Sequence, residues 1–257
     1  MKEIVVIPAR LNSKRFPNKI LYDLKGLPML EHVRRRALMA EKVKDVVIAT
    51  CDREIRDVLE SFGAKVLMTG KNHKNGTSRV AEAVRNFDCM NVILIQGDEP
   101  LLLPRYLDKM ISTVREDNSS IAWNATGPID NKEEFYKKSI VKAAIYENKI
   151  LYCFRKKNSG MESIFNPSRI RKILGLIAFK KDFLMKLVDL NSTLVEEMES
   201  IEQMRIIENG YSIRSIPFGS SQPSINEPYE VDLVWDYVQK NKEQKNLLKQ
   251  VLNFNFS

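Results

Sequence analysis

Short runs of aliphatic and β-branched residues recur at residues 4–7, 46–49, 65–68, 92–95 and 121–123, and helical patterns fill the gaps at 29–40, 55–62 and 105–114. Runs this short cannot make a typical helix, and those that are apolar at every position suit strands covered on both faces. Strand and helix therefore alternate, which predicts an α/β fold: a mainly parallel sheet between helical layers, a nucleotide-binding three-layer sandwich with short right-handed crossovers. The chain has 257 residues, enough for one generous domain of this kind, and 1–257 is read as a single domain. After about Gly127 the pattern changes. Residues 140–145 and 150–154 flank the turn-like pair Glu147-Asn148 and read as an antiparallel hairpin. A polar connection follows over 156–171, then a strand at 174–179 and helices at 181–188 and 200–209, the last closed by Gly210. The segment from about 128 to 210 is thus expected to leave the main sheet as a smaller excursion.

The first run, Ile4-Val5-Val6-Ile7, stops at Pro8, which has no N–H for a strand ladder, and a loop follows with Arg10, Lys14, Arg15 and Lys19. Arginine offers a planar fork to phosphate oxygens and lysine a compact point charge, so four cations past one strand suit an anion of several charges, such as a nucleoside triphosphate. On the bare residues a solvated basic loop is an equally good reading. Asn91-Val92-Ile93-Leu94-Ile95 is followed by Gln96-Gly97-Asp98, which puts a carboxylate just past a strand, where open α/β sheets bind their ligands. Asp98 can hold a hard cation such as magnesium, which uses one or two carboxylates plus substrate phosphates; a turn or capping role before Pro100 is the alternative. Asn75-Gly76-Thr77 precedes Val80, Ala81, Val84 and Phe87 at helical spacing, so Asn75 or Thr77 caps a helix with Arg79 in its first turn, where unpaired amides favour anions. An ordinary capped helix with His73 and Arg79 in solvent fits the same residues.

Composition removes other chemistries. Cys51, Cys89 and Cys153 lack metal-ligand spacing and read as buried or incidental thiols, and with only His32 and His73 a histidine metal centre is excluded. A Gly-x-Ser-x-Gly nucleophile elbow is absent, and His32, inside an apolar helical pattern, reads as structural. No apolar stretch is long enough to span a bilayer and Met-Lys-Glu-Ile enters strand at once, so a cytoplasmic protein without signal peptide or membrane contact is expected. The formal charge of +8 is spread over Arg34-Arg35-Arg36, Lys71, Lys74 and the segment with Lys240, Lys242, Lys245 and Lys249. Aromatic residues do not interleave with these cations, so no specific nucleic-acid partner is expected, although a catalytically idle nucleotide- or RNA-binding protein stands as the reading from another class.

Pro8-Ala9-Arg10, Ser13, Arg15, Pro17 and Lys19 fill every specified position of the Pro-Ala-Arg-x-x-Ser-x-Arg-x-Pro-x-Lys signature of sugar nucleotidyltransferases that activate acidic sugars with CTP. His73-Lys74-Asn75-Gly76-Thr77-Ser78-Arg79 and Gln96-Gly97-Asp98-Glu99-Pro100 fit the same family in the same order. Together they most closely resemble the 3-deoxy-manno-octulosonate (KDO) cytidylyltransferases, and the resemblance runs in weaker form to about Val234. It implies the nucleotide-diphospho-sugar transferase type of sandwich, a homodimer, a place in lipopolysaccharide biosynthesis, and CTP, an acidic sugar and Mg2+ as substrates and cofactor. It further implies catalytic roles for Arg10, Lys19 and Asp98, nucleotide contacts from Ala9, Arg10, Ser13, Arg15, Lys19, Asn75, Gly76, Arg79 and Gln96, and metal ligands at Asp98 and Asn226. Glu202-Gln203-Met204-Arg205 resembles the family's Glu-Gln-x-Arg segment and Arg155 an arginine near the sugar carboxylate, which implies sugar contacts from Arg155, Glu202 and Gln203. A helix-surface ion pair of Glu202 with Arg205 fits the same spacing.

Three departures bear on the substrate. Ser78 stands where relatives have an acid before the arginine. The relatives' His-Leu-Gly-Ile-Tyr-Gly-Tyr strand reads here as residues 173–179, with Ile173 and Ile177 in place of polar groups. Their Val-Asp-Thr-Pro reads Ile225-Asn226-Glu227-Pro228, an amide for a magnesium carboxylate, which lowers metal affinity unless Glu227 or Glu230 compensates. Another nonulosonic or amino-substituted octulosonic acid is therefore the alternative to KDO.

Overall fold

The structure, a computed structural model, describes residues 3–13, 15–155 and 169–254. Lys14 of the basic loop and most of the expected connection over 156–171 lie outside the described residues. The chain forms two compact units, residues 1–111 with 222–257, and residues 112–221; the expected excursion falls inside the second.

In the first unit β1 (Glu3–Ala9), β2 (Val46–Thr50), β3 (Lys65–Met68) and β4 (Asn91–Ile95) pair in parallel in the order β3-β2-β1-β4, with Val5 beside Val46 and Val6 beside Leu94. Helices α1 (Met29–Leu38), α2 (Arg53–Ser61) and α3 (Gly76–Val84) connect these strands in turn, and α4 (Pro104–Glu116) follows β4. The strands are apolar on both faces because both are covered: Val6, Ile7, Ile48, Ile93 and Ile95 are fully buried, each contributing about 1.5–3 kcal/mol. β3, the edge strand, is half-exposed, which explains why Lys65 can begin it.

The arginines of α1 are not the solvated charges their sequence suggests. Arg34, Arg35 and Arg36 are all buried. Arg34 Nε donates to Glu31 Oε2 (2.7 Å) and Arg35 Nε to Glu31 Oε1 (2.6 Å). Arg36 Nη1 donates to Gln244 Oε1 (2.8 Å) and Leu102 O (3.3 Å). Burial lowers the Arg36 pKa to about 10, so it stays protonated at neutral pH. The lysine-rich end folds into two helices, and Arg35 Nη1 caps the second at Val251 O (2.8 Å). His32 is structural, as expected: its Nε2 meets Leu24 O at 2.6 Å, and burial lowers its pKa to about 4.

The second unit is β5 (Ala122–Gly127), α5 (Lys132–Tyr136), β6 (Lys142–Tyr146), β7 (Lys149–Phe154), β8 (Ile170–Lys180), α6 (Lys181–Asp189), α7 (Leu194–Glu199), α8 (Gln203–Glu208) and β9 (Ile213–Pro217); α9 (Glu230–Lys240) and α10 (Lys242–Leu252) return to the first. Its strands run β8-β5-β9-β7-β6, and β6 pairs again with β8. Only β5 and β9 are parallel among these pairings, so the parallel sheet expected from the sequence belongs mostly to the first unit. The hairpin forms as expected, and Glu147 and Asn148 take φ of 47° and 61°, as a two-residue type I′ turn requires. The helix expected over 200–209 is shorter, 203–208; a separate helix, α7, precedes it, with Thr193 and Glu196 making a capping box and Ser200 at φ 53° breaking the path.

Asp117 organises one end of this unit. Its Oδ1 accepts from Ser119 N (2.9 Å), Ser119 Oγ (2.6 Å) and Ser120 N (3.1 Å), and its Oδ2 accepts from Trp123 Nε1 (2.9 Å) and pairs with Arg214 Nη1 (2.6 Å). Burial raises the carboxyl pKa, but these donors outweigh it and hold the group well below the ordinary range. A depressed folded pKa stabilises above the unfolded value, about 4, and that stabilisation is lost as pH falls through and below it. Asp117→Ala should cost about 2–4 kcal/mol in urea denaturation followed by Trp fluorescence at pH 7, and the gap to the parent should narrow below about pH 4.

Candidate active site

Three segments meet at the end of β1. Because β1, β2 and β4 are parallel, the loops that follow them leave from the same edge. A Cβ on Gly97 would lie 3.5 Å from Pro8 O, 3.1 Å from Ile20 Cδ1 and 3.3 Å from Leu30 Cδ1, and a Cβ on Gly76 would lie 3.0 Å from Pro8 Cγ. Glycine at both positions lets the start of α3 and the turn after β4 close onto the proline. The basic loop is held by Leu11 N, which donates to Asp52 Oδ2 (2.8 Å), and by Ser13 N and Asn18 N, which donate to Leu11 O (2.9 and 3.2 Å). Ala9 is buried, Ser13 and Gln96 are half-buried, and Arg10 is exposed with no hydrogen-bond or ion-pair partner among the described residues.

Asn18, at φ 57°, turns the chain into a 3-10 turn at Lys19–Leu21 and brings Lys19 inward. Lys19 Nζ donates to Asp98 Oδ2 (2.7 Å) and to Ile225 O (3.1 Å), and Ile225 N donates to Asp98 O (3.2 Å). Asp98 Oδ1 accepts no hydrogen bond among the described residues. Arg15 Nη2 donates to Asn226 Oδ1 (3.2 Å), and its Nη1 is 3.9 Å from Glu227 Oε1. Glu230 Oε2 accepts from the amides of Asn226 (2.6 Å) and Glu227 (3.1 Å), and Asn226 Nδ2 donates to Ser224 Oγ (3.1 Å). Thus Lys19, Asp98, Arg15 and Asn226 form one connected set. Sequence reasoning gave no role to Asp52, although its place just past β2 on the same edge was a usable signal.

Asn75 caps α3, its Oδ1 accepting from Ser78 N (2.9 Å). Arg79 is buried, 3% exposed, where the plain reading of the sequence has it solvated; its Nη1 donates to Thr69 Oγ1 (2.5 Å) and Gly70 O (3.3 Å).

The remaining candidates belong to the second unit. Arg155 Nε donates to Glu199 O (3.1 Å) and its Nη atoms to the carbonyls of Lys138, Ser139 and Ser200. Glu202 is half-buried before α8, and buried Gln203 donates through Nε2 to Asn124 Oδ1 (3.0 Å). Arg205 forms its two-pronged pair with Glu196 (2.7 and 2.6 Å), not with the expected Glu202. Asn124, which also donates to Leu174 O (3.1 Å), was invisible in the sequence because its β5 surroundings are apolar.

A family model described as cytidylyltransferase matches residues 4–215. A protein of Chlorobium limicola named 3-deoxy-manno-octulosonate cytidylyltransferase is 34% identical over 237 residues, 91% of this chain and 96% of that protein. The solved structure of CMP:2-keto-3-deoxy-manno-octonic acid synthetase complexed with CTP is similar with a TM-score of 0.84 at 30% identity, over 93% of this chain and 99% of that one. At 11% identity, 4-diphosphocytidyl-2C-methyl-D-erythritol synthase from Anaerococcus prevotii shares the fold, with a TM-score of 0.61 over 93% of this chain and 98% of that one.

Lys19 and Asp98 are coupled whatever they bind. A double-mutant cycle of Lys19→Ala and Asp98→Ala, read by urea denaturation without ligand, should give an interaction energy of about 1–3 kcal/mol, and a value near zero would mean that the pair does not form.

Proposed function

The chain belongs to the cytidylyltransferase family, and from that premise we propose that it transfers CMP from CTP to an acidic sugar, first of all KDO, with release of pyrophosphate. A hydroxyl oxygen of the sugar bonds to the α-phosphorus, the bond from that phosphorus to the bridging oxygen of pyrophosphate breaks, and the hydroxyl proton passes to solvent. The observation that carries this reading is the 2.7 Å contact of Lys19 with Asp98, linked through Ile225 to the neighbours Asn226 and Arg15. An ammonium has three N–H donors, and Lys19 uses two on Asp98 and Ile225, which leaves one for a phosphate oxygen. Arg10, without a partner among the described residues, and Arg15 offer further charge to the triphosphate. Ala9, Ser13, Asn75, Gly76, Arg79 and Gln96 complete the nucleotide contacts. Arg155, Glu202 and Gln203 serve the sugar.

The donor set fits magnesium. Asp98 has one oxygen held by Lys19 and the other without a partner, and among the described residues no group of three His, Cys, Asp or Glu could cage a metal, which suits an ion that takes its other ligands from phosphates and water. When bound, magnesium would neutralise phosphate charge and align the reacting groups. Asn226 offers a neutral oxygen already engaged by Arg15, so Asp98 is the stronger ligand.

The reading includes a homodimer, drawn from the resemblance, and a cytoplasmic setting, expected from the sequence; no helix among the described residues is long and apolar enough to cross a membrane. Arg34, Arg35 and Arg36 are buried, so these three of the basic residues are not offered to a nucleic acid. Buried Ile177 and half-buried Ile173 favour, as a second reading, a different nonulosonic or amino-substituted octulosonic acid.

A panel of sugar acids incubated with CTP and magnesium, read by pyrophosphate release and product mass, tests both. Steady turnover with KDO at low substrate concentration supports the first reading, and turnover with another acid alone moves the assignment to that acid. Asp98→Asn should lower kcat at least about a hundredfold. No turnover with any acid, or a variant as active as the parent, overturns the proposal.

A further inference from the structure

The loop of residues 69–75 has no regular structure, yet it is tied closely to the helix it precedes. Glu82, two turns into α3, accepts from Gly70 N with both carboxylate oxygens (3.0 and 3.1 Å). His73 bridges the loop and the helix, with Nε2 against Glu82 Oε2 and Nδ1 3.2 Å from Ser78 Oγ. Ser78 Oγ also reaches Asn75 O (3.1 Å), so one hydroxyl joins the ring to the backbone of the capping residue, while the carboxylate of Glu82 accepts from the Nε2 side of the ring. From the helix, Arg79 reaches back to Thr69 and Gly70, and at the other end Gly76 lies against Pro8. The bonds from His73 and Gly70 and the charges of His73 and Arg79 outweigh the effect of burial and hold the Glu82 carboxyl below its usual range.

The His73 ring is largely shielded, its side chain 16% exposed, while Glu82 is 43% exposed. With its carboxylate half open to water the pair adds little to stability, and α3 has its own cap at Asn75, so the helix does not need this bridge to form. Lys71 and Lys74, both exposed, flank the ring, and neither has a side-chain bond among the described residues. Without the ring, the stretch between Gly70 and Asn75 loses the one side-chain tie to α3 that it has among the described residues.

We propose that His73, held by Glu82, is a positioning residue that fixes the path of residues 70–75 and thereby the placement of Asn75, Gly76 and Arg79 toward the nucleotide. This inference rests on the reading of those three residues as nucleotide contacts. Loss of the bridge makes CTP order the loop as it binds, a cost in uniform binding that appears in KM and not in kcat. A carboxylate in place of Ser78, as in relatives, would face the same edge of the His73 ring.

The test compares His73→Ala, Glu82→Ala, the double variant and the conservative variants Glu82→Gln and Ser78→Asp, with CTP affinity measured by calorimetry and turnover by pyrophosphate release. His73→Ala should raise both Kd and KM for CTP about tenfold and leave kcat within about twofold. The double variant should be no worse than the worse single one, and Glu82→Gln and Ser78→Asp should stay within about threefold of the parent. Should His73→Ala fold poorly, Glu82→Ala gives the same answer from the other side of the bridge. Unchanged CTP affinity in folded His73→Ala and Glu82→Ala, or a fall in kcat alone, would overturn the inference while leaving the functional reading intact. A parent protein that binds no CTP overturns that reading and this inference with it.

Discussion

The site depends on how closely the chain can approach Pro8. The proline ends the β1 ladder, and two glycines far apart in sequence, Gly76 and Gly97, come against it because neither has a side chain to hold it off. That approach brings the start of α3 and the turn after β4 to one strand end. The basic loop then has a carboxylate within reach, and Lys19 and Asp98 meet although they are 79 positions apart. Charge alone would not bring them together with this geometry, because the ion pair follows from backbone packing that is apolar and steric.

Legibility in the sequence followed the range of the interactions. β2 and β4 were readable because they are buried on both faces and every position is apolar or nearly so. β9 was not, since Arg214 interrupts it, Pro217 ends it, and its partners β5 and β7 lie some sixty or more residues earlier. The hairpin was legible from its turn, whereas the break between α7 and α8 depends on Ser200 taking a left-handed conformation that few residues adopt.

The candidate site divides in the same way. The loop residues of the first unit were named from three motifs, and their meeting follows from parallel strands ending on one edge. The burial of Arg79 was hidden, because its acceptors, Thr69 and Gly70, sit in a loop whose course the sequence does not specify. Glu31 at i−3 and i−4 of Arg34 and Arg35 was a local sign that these arginines are paired, but Val251, which Arg35 also reaches, and Gln244, the partner of Arg36, lie more than two hundred residues away.

Helix α1 buries three guanidinium groups beside one carboxylate, and Arg36 has no anionic partner, its Nε and Nη2 unbonded among the described residues. The helix therefore carries a surplus of positive charge in a medium that mobile ions do not enter, at an energetic cost to the fold. Salt damps the pull of surface lysines on an approaching polyanion, but this internal charge is much less screened. The unit that bears Arg10, Arg15 and Lys19 thus holds positive charge inside as well as at its surface, and the attraction felt by a triphosphate is set in part by residues it never touches.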